Sequence, residues 1–413
     1  MYQFMKNIQF CFYIFYLLFK NRKDIYKKNY DNLAKNICFK IAEINVIYVK
    51  LLQIIAVQNV FSSHINEFLL TYTDDVSYND DEIDNSFIKL FPNENKEDFE
   101  LIKSGTMSLI YKLNKPSPLI VKVLRKNIKN KIDISVSNIN FLFCLLWWHP
   151  YIRNKNLLTI FNENKNKLYE HIDFIQEKNN TITMYDQFKN IDYIITPRVY
   201  EDYCNEKCIT MDYIEGETIT DVDDDDMEEF SNLLIKYSVK GLLYDRIFHG
   251  DIHSGNILFI INDDDDENKY KLGIIDFGIM GSFSKEEQNN FYLVFQAVNE
   301  NPIDIDKITS KFIPFLEPQE TLNNLDTQDS ILLINHLKNI NSHIFASKLQ
   351  FGFKEICMYN DVLKKYNLHL SKKICQPMIS MFGLKTMCEY FSKESFIIKM
   401  KKYTKQLEEQ YMF

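Results

Sequence analysis

The sequence has little glycine, no closely paired cysteines and no surplus of positive charge. Its eight cysteines contain no C-x-x-C pair, and the nearest two, Cys204 and Cys208, lie four residues apart. This spacing predicts neither a disulfide framework nor a zinc site, and it favours a reducing compartment, either the cytoplasm or an organelle. The formal net charge of −9 argues against a nucleic-acid-binding protein, because that function needs a basic surface.

The sequence also lacks an apolar run long enough to span a bilayer, which takes about 20 residues. The nearest candidate, residues 8–19, has basic residues on both sides, at Lys6 and within residues 20–28. No small-residue cleavage site follows, which disfavours a secretory signal peptide. Residues 8–28 therefore predict either a helix packed inside the protein or against a partner, or an interfacial helix in contact with a membrane surface.

Glycine accounts for only 10 of the 413 residues, where average usage would give about 29. Six of the ten lie within residues 241–281. Glycine permits tight turns and a close approach of the backbone to a ligand. The concentration of glycine therefore indicates a functional region in this part of the chain.

That region reads FHGDIHSGN and, twenty residues later, DFG. Asp251 can orient or deprotonate an attacking oxygen, and Asn256 and Asp276 can supply hard oxygen ligands to Mg²⁺. His253 can steady Asp251 or approach the phosphates, and His249 is expected to brace the loop through hydrogen bonds. The pattern predicts phosphoryl transfer from a nucleotide triphosphate that is held with Mg²⁺.

A strand-like region precedes this loop. Residues 99–124 predict two strands joined by a turn and then a third strand, in which Lys122 can pair with the α- and β-phosphates. We expect its acidic partner to be Glu177, on the acidic face of a helix predicted for residues 168–180, although an ordinary solvated acidic face is the alternative. The turn offers backbone N–H groups and hydroxyls to phosphate; it consists of Ser104, Gly105, Thr106, Met107 and Ser108.

The rest of the chain is predominantly helical by its apolar periodicity. Residues 36–70 predict one long helix or two, and the acidic residues 73–86 predict a linker. Short strands are expected near residues 193–195 and 208–213, and two more on either side of the acidic insert 263–267. The chain is thus predicted to be α+β, in three segments: an N-terminal helical extension (1–90), a β-rich N-lobe with an insert (91–216) and a helical C-lobe (217–413).

The segment after Asp276 bears on the substrate. Residues 284–287 read S-K-E-E, a capping box that predicts a helix start at Ser284. Protein kinases usually have a much longer segment here, on which a peptide docks. The short segment disfavours a peptide substrate.

Together these motifs resemble the UbiB/AarF-domain (ADCK) family of atypical kinases. The family loop H-x-D-x-H-x-G-N is met by residues 249–256, and its D-F-G-x-x-G by residues 276–281. Its helix pattern, D-aromatic-x-x-E-x-x-N, is met by residues 173–180. The resemblance covers about residues 40–315 and implies a bilobal, protein kinase-like fold.

The resemblance also assigns residues outside the catalytic loop. Met211 and Tyr213 lie in a segment similar to the family's hinge, which contacts the nucleotide. Lys50 and Gln53 align with the K-x-G-Q helix, which in the family folds over the cleft and limits protein kinase activity. Leu52 stands at the glycine of that motif.

The resemblance implies ATP and Mg²⁺ as cofactors and a role as a kinase or ATPase connected with isoprenoid-quinone or other lipid metabolism. The phosphoryl acceptor would be an unknown small molecule or lipid. Two alternatives stay open. A choline- or aminoglycoside-type phosphotransferase also uses H-G-D-x-H-x-x-N, and a pseudokinase would bind the nucleotide without turnover.

Overall fold

A computed structural model of the chain describes most of its 413 residues. The chain divides into two compact units: the first comprises Met1–Lys178 and Arg198–Tyr213, and the second comprises Asn179–Pro197 and Ile214–Phe413. The predicted segment boundaries after residues 90 and 216 stay predictions. The described residues are 2–56, 78–149, 153, 158, 161–162, 165–262, 268–346 and 353–411.

Up to residue 213 the chain consists of helices and short strands. In chain order they are α1 (Tyr2–Lys20), α2 (Arg22–Tyr26), α3 (Tyr30–Ile44), α4 (Ile47–Ala56), β1 (Phe99–Ser104), β2 (Ser108–Leu113), β3 (Leu119–Leu124), α5 (Ile128–Leu145), α6 (Lys167–Glu170), α7 (Phe174–Phe188), β4 (Ile194–Ile195) and β5 (Cys208–Asp212).

The rest of the chain is mostly helical. Its elements are α8 (Met227–Lys240), β6 (Ile247–His249), β7 (Ile257–Ile261), β8 (Tyr270–Ile274), β9 (Met280–Ser282), α9 (Lys285–Asn299), α10 (Ile305–Phe312), β10 (Leu316–Glu317), α11 (Gln319–Asn323), α12 (Thr327–Ala346), α13 (Phe353–Leu363), β11 (His369–Leu370), α14 (Lys372–Phe391) and α15 (Phe396–Tyr411). This succession confirms the predicted α+β class, a β-rich part followed by a helical part.

The sheet of the first unit has the strand order β1-β2-β3-β5 and is antiparallel throughout. Alternation of side chains along β3 buries Val121 and Val123 on one face, against Phe87 and Phe91. Lys122 therefore lies on the opposite face, as the sequence predicted. The three predicted strands of residues 99–124 are confirmed.

The helical group of the first unit packs around α5. One face of α1 is buried there, and the Phe10 ring stacks on Tyr48 of α4 with centroids 4.7 Å apart. The helical region predicted for residues 36–70 forms two helices, α3 and α4, and its residues 57–70 lie outside the described residues. Among the described residues, no helix combines the length and apolar character needed to cross a membrane.

The linker predicted for residues 73–86 is wrong where the structure describes it. Residues 80–82 and 85–90 form short 3-10 helices, and Glu82 forms ion pairs with Arg125 and Lys131. The acidic composition suggested a solvated segment, but the Glu82 carboxylate is matched by two cations. Burial works to raise the Glu82 pKa, but the Lys131 hydrogen bond and the Arg125 charge bring it below its usual value.

The prediction of a single helix for residues 168–180 is wrong, because the helical structure stops at the end of α6 and resumes at the start of α7. The Asp173 carboxylate accepts a hydrogen bond from the Gln176 backbone N–H at 3.0 Å. This bond satisfies a free donor at the start of a helix. Asp173 therefore begins a new helix instead of continuing the previous one.

The second unit contains one large apolar core, on which α8, α14 and α15 pack. A three-stranded sheet, β4-β8-β7, pairs β4 with β8 in parallel and β7 with β8 in antiparallel. The predicted helix after Asp276 is confirmed: α9 starts at Lys285, and Ser284 forms the capping box with Glu287.

A buried lysine connects two of these helices. Lys399 of α15 is only 1% exposed, and its Nζ donates to Glu228 at 2.5 Å and to Ser231 and Asn232 at 3.0 Å. All three ammonium protons therefore have acceptors, each on α8. The interaction fixes α15 against α8.

We predict that Lys399→Ala lowers the free energy of unfolding by about 2–4 kcal/mol, because it removes a packed, buried side chain and leaves the buried Ser231 hydroxyl without this donor. Chemical denaturation measures this difference. Glu229→Ala, at the exposed acid next to Glu228, is the control and should unfold like the wild type. Equal losses in the two variants would contradict the role of Lys399.

Candidate active site

The loop predicted to be catalytic is held at both ends by short strands. It leaves β6, passes through a 3-10 turn, Ser254–Asn256, and enters β7. Strand β6 pairs with β9, which follows the DFG segment, and Gly250 N–H donates to Ile279 O at 2.8 Å. Gly281 lies so close to the Phe248 ring that a Cβ atom would come within 2.2 Å of it. The glycines of this region therefore permit close packing between the two segments.

His249 joins the two segments that carry the predicted acidic residues. Its Nδ1 accepts a hydrogen bond from the Asp251 backbone N–H at 3.1 Å, so the proton of the neutral ring is on Nε2. That nitrogen lies 2.5 Å from Asp276 O and donates to it. Burial lowers the His249 pKa, so the ring stays neutral at pH 7. His249 braces the loop as predicted.

Asn256 is the second contact between loop and strand. Its side-chain Nδ2 donates to the Asp251 backbone carbonyl at 3.1 Å, and the backbone carbonyl of Asn256 accepts from Ile275 N–H at 3.1 Å. Because the amide nitrogen is used in this way, the amide oxygen is the atom left to bind a metal. Asn256 is buried, which fixes this orientation.

The DFG segment is fixed by its own backbone and by α7. Asp276 Oδ1 accepts from Gly278 N–H at 2.9 Å, and Asn180 Nδ2 donates to Phe277 O at 2.8 Å. Phe277 is fully buried. These contacts hold the Asp276 carboxylate at the end of β8. An amide and a carboxylate oxygen fit Mg²⁺, which takes a few protein oxygens and completes its shell with water and phosphate.

His253 bends back onto its own loop. Its Nδ1 accepts a hydrogen bond from Gly255 N–H at 3.1 Å, so it caps the turn that leads to Asn256. The structure thus brings Asp251, Asn256 and Asp276 into one hydrogen-bonded region of the second unit. Their chemical roles stay predictions.

In the first unit, the predicted lysine and its acidic partner form an ion pair. Lys122 Nζ lies 2.5 Å from Glu177 Oε1, and the two side chains are 12% and 5% exposed. The Lys122 ammonium also lies 5.5 Å from the centre of the Phe174 ring. The pair joins β3 to α7. The expected pairing is present, and its role in catalysis stays a prediction.

The predicted nucleotide loop between β1 and β2 is partly engaged within the protein. Gly105 N–H donates to Ser108 O at 2.9 Å, so this particular donor is not directed at a ligand. Ser104, Thr106, Met107 and Ser108 are buried. The loop is therefore compact and has a defined conformation.

Arg125 holds this loop, and sequence reasoning missed it. The guanidinium group is buried and donates to Gly105 O at 2.9 Å, to Ser104 Oγ at 2.8 Å and to Glu82 at 2.5 Å. The Arg125 backbone N–H donates to Met107 O at 3.0 Å. Its position directly after an apolar strand was a usable signal, since a buried arginine needs an acidic partner.

A second contact that the sequence did not predict supports the predicted catalytic loop from α14. A Cβ atom on Gly383 would lie 2.1 Å from Ile252 O, and a Cβ on Gly250 would lie 2.8 Å from Gln376 Nε2. The helix therefore packs directly on the loop backbone between Asp251 and His253. The scarcity of glycine was a usable signal, because an isolated glycine inside a helix often has a packing reason.

The residues assigned by resemblance lie elsewhere in the first unit. Met211 is buried in β5 beside Ile120. The Lys112 ammonium lies 3.9 Å from the centre of the Tyr213 ring. Lys50 lies half-buried on α4. The Gln53 side chain is outside the described residues, and none of these four is shown to bind a nucleotide.

Comparison with known proteins confirms the resemblance. Residues 111–309 match the family model of the ABC1 atypical kinase-like domain. The protein ACTIVITY OF BC1 COMPLEX KINASE 8, chloroplastic, from Arabidopsis thaliana is 26% identical over 231 residues, which are 52% of this chain and 29% of that protein. "Probable protein kinase UbiB" of Cronobacter sakazakii is 28% identical over 179 residues, 41% of this chain and 32% of that protein.

The matches to both relatives thus cover about a third of each relative's length. Among solved structures, the complex of Rv3197 with erythromycin from Mycobacterium tuberculosis aligns over 75% of this chain and 77% of that one, with 14% identity and a TM-score of 0.47.

We predict that Arg125→Lys destabilises the first unit by about 1–3 kcal/mol, because an ammonium group cannot bond Ser104, Gly105 and Glu82 together. Hydrogen exchange should become faster in residues 104–108, with no change in the second unit. Arg198→Lys, at an exposed arginine of the same unit, is the control. Unchanged exchange in the loop of the Arg125 variant would show that something else holds it.

We predict that Gly383→Ala destabilises the protein, although the same change in an unconstrained helix stabilises by about 1 kcal/mol. The sign of the change in stability is diagnostic, because only the contact with Ile252 O turns the expected stabilisation into a destabilisation. Thermal unfolding gives the sign, and hydrogen exchange in residues 250–256 locates the effect. Thr386→Ala, one turn later on the exposed side of α14, is the control. A more stable Gly383→Ala variant would refute the close packing.

Proposed function

We propose that this chain, which shares the ABC1 atypical kinase-like domain, binds ATP with Mg²⁺ and acts as an atypical kinase or ATPase. The observation that carries the proposal is the hydrogen-bonded arrangement of Asp251, Asn256 and Asp276 around the neutral His249. These groups are already held in place before a charged ligand binds. Preorganised polar groups of this kind are the main source of electrostatic catalysis.

The roles follow from the chemistry of the side chains. Asn256 and Asp276 would hold Mg²⁺ through their oxygens, and a bound Mg²⁺ neutralises charge on the phosphates. Asp251 would orient the attacking hydroxyl or water and accept its proton. Its backbone is fixed on both sides, by His249 through N–H and by Asn256 through the carbonyl.

The Lys122–Glu177 pair supports the same conclusion from the first unit. Burying an ion pair costs solvation of both charges, so such a pair is weak evidence of a contribution to stability. Kinases require this arrangement, in which a glutamate orients the lysine that contacts the α- and β-phosphates. We assign Lys122 and Glu177 these roles.

The acceptor is proposed to be a small molecule or a lipid. Only residues 277–284 separate Asp276 from α9, and the Ser284 capping box fixes the helix start. This short connection offers little backbone on which a peptide substrate could dock. The connection with isoprenoid-quinone or other lipid metabolism rests on the family resemblance alone.

We predict that Mg²⁺ with ATP stabilises the wild type, by about 2.7 kcal/mol when ATP is at 100 times its dissociation constant. Thermal unfolding with and without Mg²⁺ measures the shift. Asp276→Asn should remove the Mg²⁺-dependent part, and Lys122→Ala should weaken ATP binding about tenfold or more. Lys129→Ala and Asp202→Asn, at exposed positions, are the controls. A wild type that does not respond to Mg²⁺ and ATP would refute the proposal.

Turnover separates the remaining alternatives. The kinase or ATPase proposal expects ADP to form in a single-turnover experiment and Asp251→Asn to abolish it while ATP binding persists. Binding without ADP formation would identify a pseudokinase. Phosphorylation of choline or an aminoglycoside would identify a small-molecule phosphotransferase instead.

A further inference from the structure

Helix α1 is apolar on two opposite sides. One side belongs to the core of the first unit and packs on α5 and α4. Its buried side chains are Phe10, Cys11, Ile14 and Leu17. This face packs α1 onto the first unit, and the Phe4 ring adds an edge contact with Phe141 of α5 at the N-terminal end of the helix.

The other side of α1 carries an exposed apolar face. Its members are Phe4 (56% exposed), Met5 (55%), Phe12 (70%), Phe15 (42%), Tyr16 (55%) and Phe19 (67%). At 100° per residue, these six side chains fall within one sector of about 120° on the helix. We call this the exposed aromatic face. A continuous apolar surface of this kind on a soluble domain marks an interaction site.

A basic segment borders this face at its C-terminal end. Within nine residues it has one acid, Asp24, and five cations, which are Lys20, Arg22, Lys23, Lys27 and Lys28. All five cations are exposed. The Arg22 guanidinium lies 4.7 Å from the centre of the Phe19 ring and donates to Phe19 O. Positive charge therefore adjoins the last aromatic ring of the face directly.

We propose that the exposed aromatic face and the adjoining basic segment dock on the surface of an anionic phospholipid bilayer. Phenylalanine and tyrosine side chains enter the boundary between headgroups and acyl chains, and lysine and arginine bind the anionic headgroups. Because the opposite face of α1 packs on α5, the helix needs no polar face of its own. The 19 residues of α1 would lie along the bilayer surface.

The charge pattern favours a bilayer over a second copy of this chain. A second copy would present the same basic segment, whereas an anionic membrane complements both the apolar face and the cations. An acidic, apolar segment of another protein is the remaining competitor. The experiment distinguishes all three.

The test is co-sedimentation of the full chain with vesicles of phosphatidylcholine alone or with added phosphatidylserine. The wild type should bind the anionic vesicles about tenfold or more tightly than the neutral ones, with binding that weakens as salt is raised. Phe12→Ser/Phe19→Ser should lower binding to the anionic vesicles about tenfold. Lys23→Glu/Lys27→Glu should remove the preference for anionic lipid.

Matched controls are available on the second unit. Ile331→Ser/Leu332→Ser changes two exposed apolar side chains of α12, and Lys364→Glu/Lys365→Glu changes two exposed lysines. Both control variants should bind vesicles like the wild type, and all variants should unfold at the wild-type temperature.

Three outcomes would overturn the proposal. The first is a wild type that does not bind anionic vesicles. The second is an equal loss of binding in the variants and their controls. The third is a wild-type dimer that Phe12→Ser/Phe19→Ser converts to a monomer without any change in vesicle binding. If the wild type failed with vesicles but bound an acidic, apolar peptide, the face would belong to a protein partner.

Discussion

The candidate active site depends on a single neutral imidazole. His249 accepts from the Asp251 backbone and donates to the Asp276 backbone, so it can hold both segments only in one tautomer. A protonated ring would direct a second N–H at the Asp251 N–H and break the contact. Burial lowers the His249 pKa and so protects the bond at neutral pH. The geometry of Asp251 and Asp276 therefore depends on keeping water away from this ring.

The same mode of support recurs around the other predicted site residues. Asn180 fixes the Phe277 carbonyl, Arg125 fixes the carbonyl of Gly105, and α14 packs against the Ile252 carbonyl. In each case a side chain or a helix from another part of the chain holds the backbone next to a predicted site residue. Rigid backbone support of this kind is what positions catalytic groups accurately.

The sequence predicted what short-range patterns encode. Alternation placed Lys122 opposite the core face of β3, and the capping box located the start of α9 at Ser284. It did not predict contacts between segments far apart in the chain, such as Arg125 with Glu82 or Gly383 with Ile252. Periodicity and motif spacing report on neighbours within an element, whereas these contacts depend on how the elements pack. The predicted linker failed for this reason, since the partners of Glu82 lie more than 40 residues away.

The contacts that support the predicted site residues also reach beyond residues 111–309, the segment that matches the family model. The match begins inside β2, so β1, the predicted nucleotide loop and Glu82 precede it. It ends in α10, so α14, which packs on the predicted catalytic loop, follows it. Helix α14 packs in turn on α8, which Lys399 ties to α15. A fragment cut at the matched boundaries would lose the predicted nucleotide loop itself and the helix that packs on the predicted catalytic loop, while keeping every residue of the H-x-D-x-H-x-G-N and D-F-G motifs.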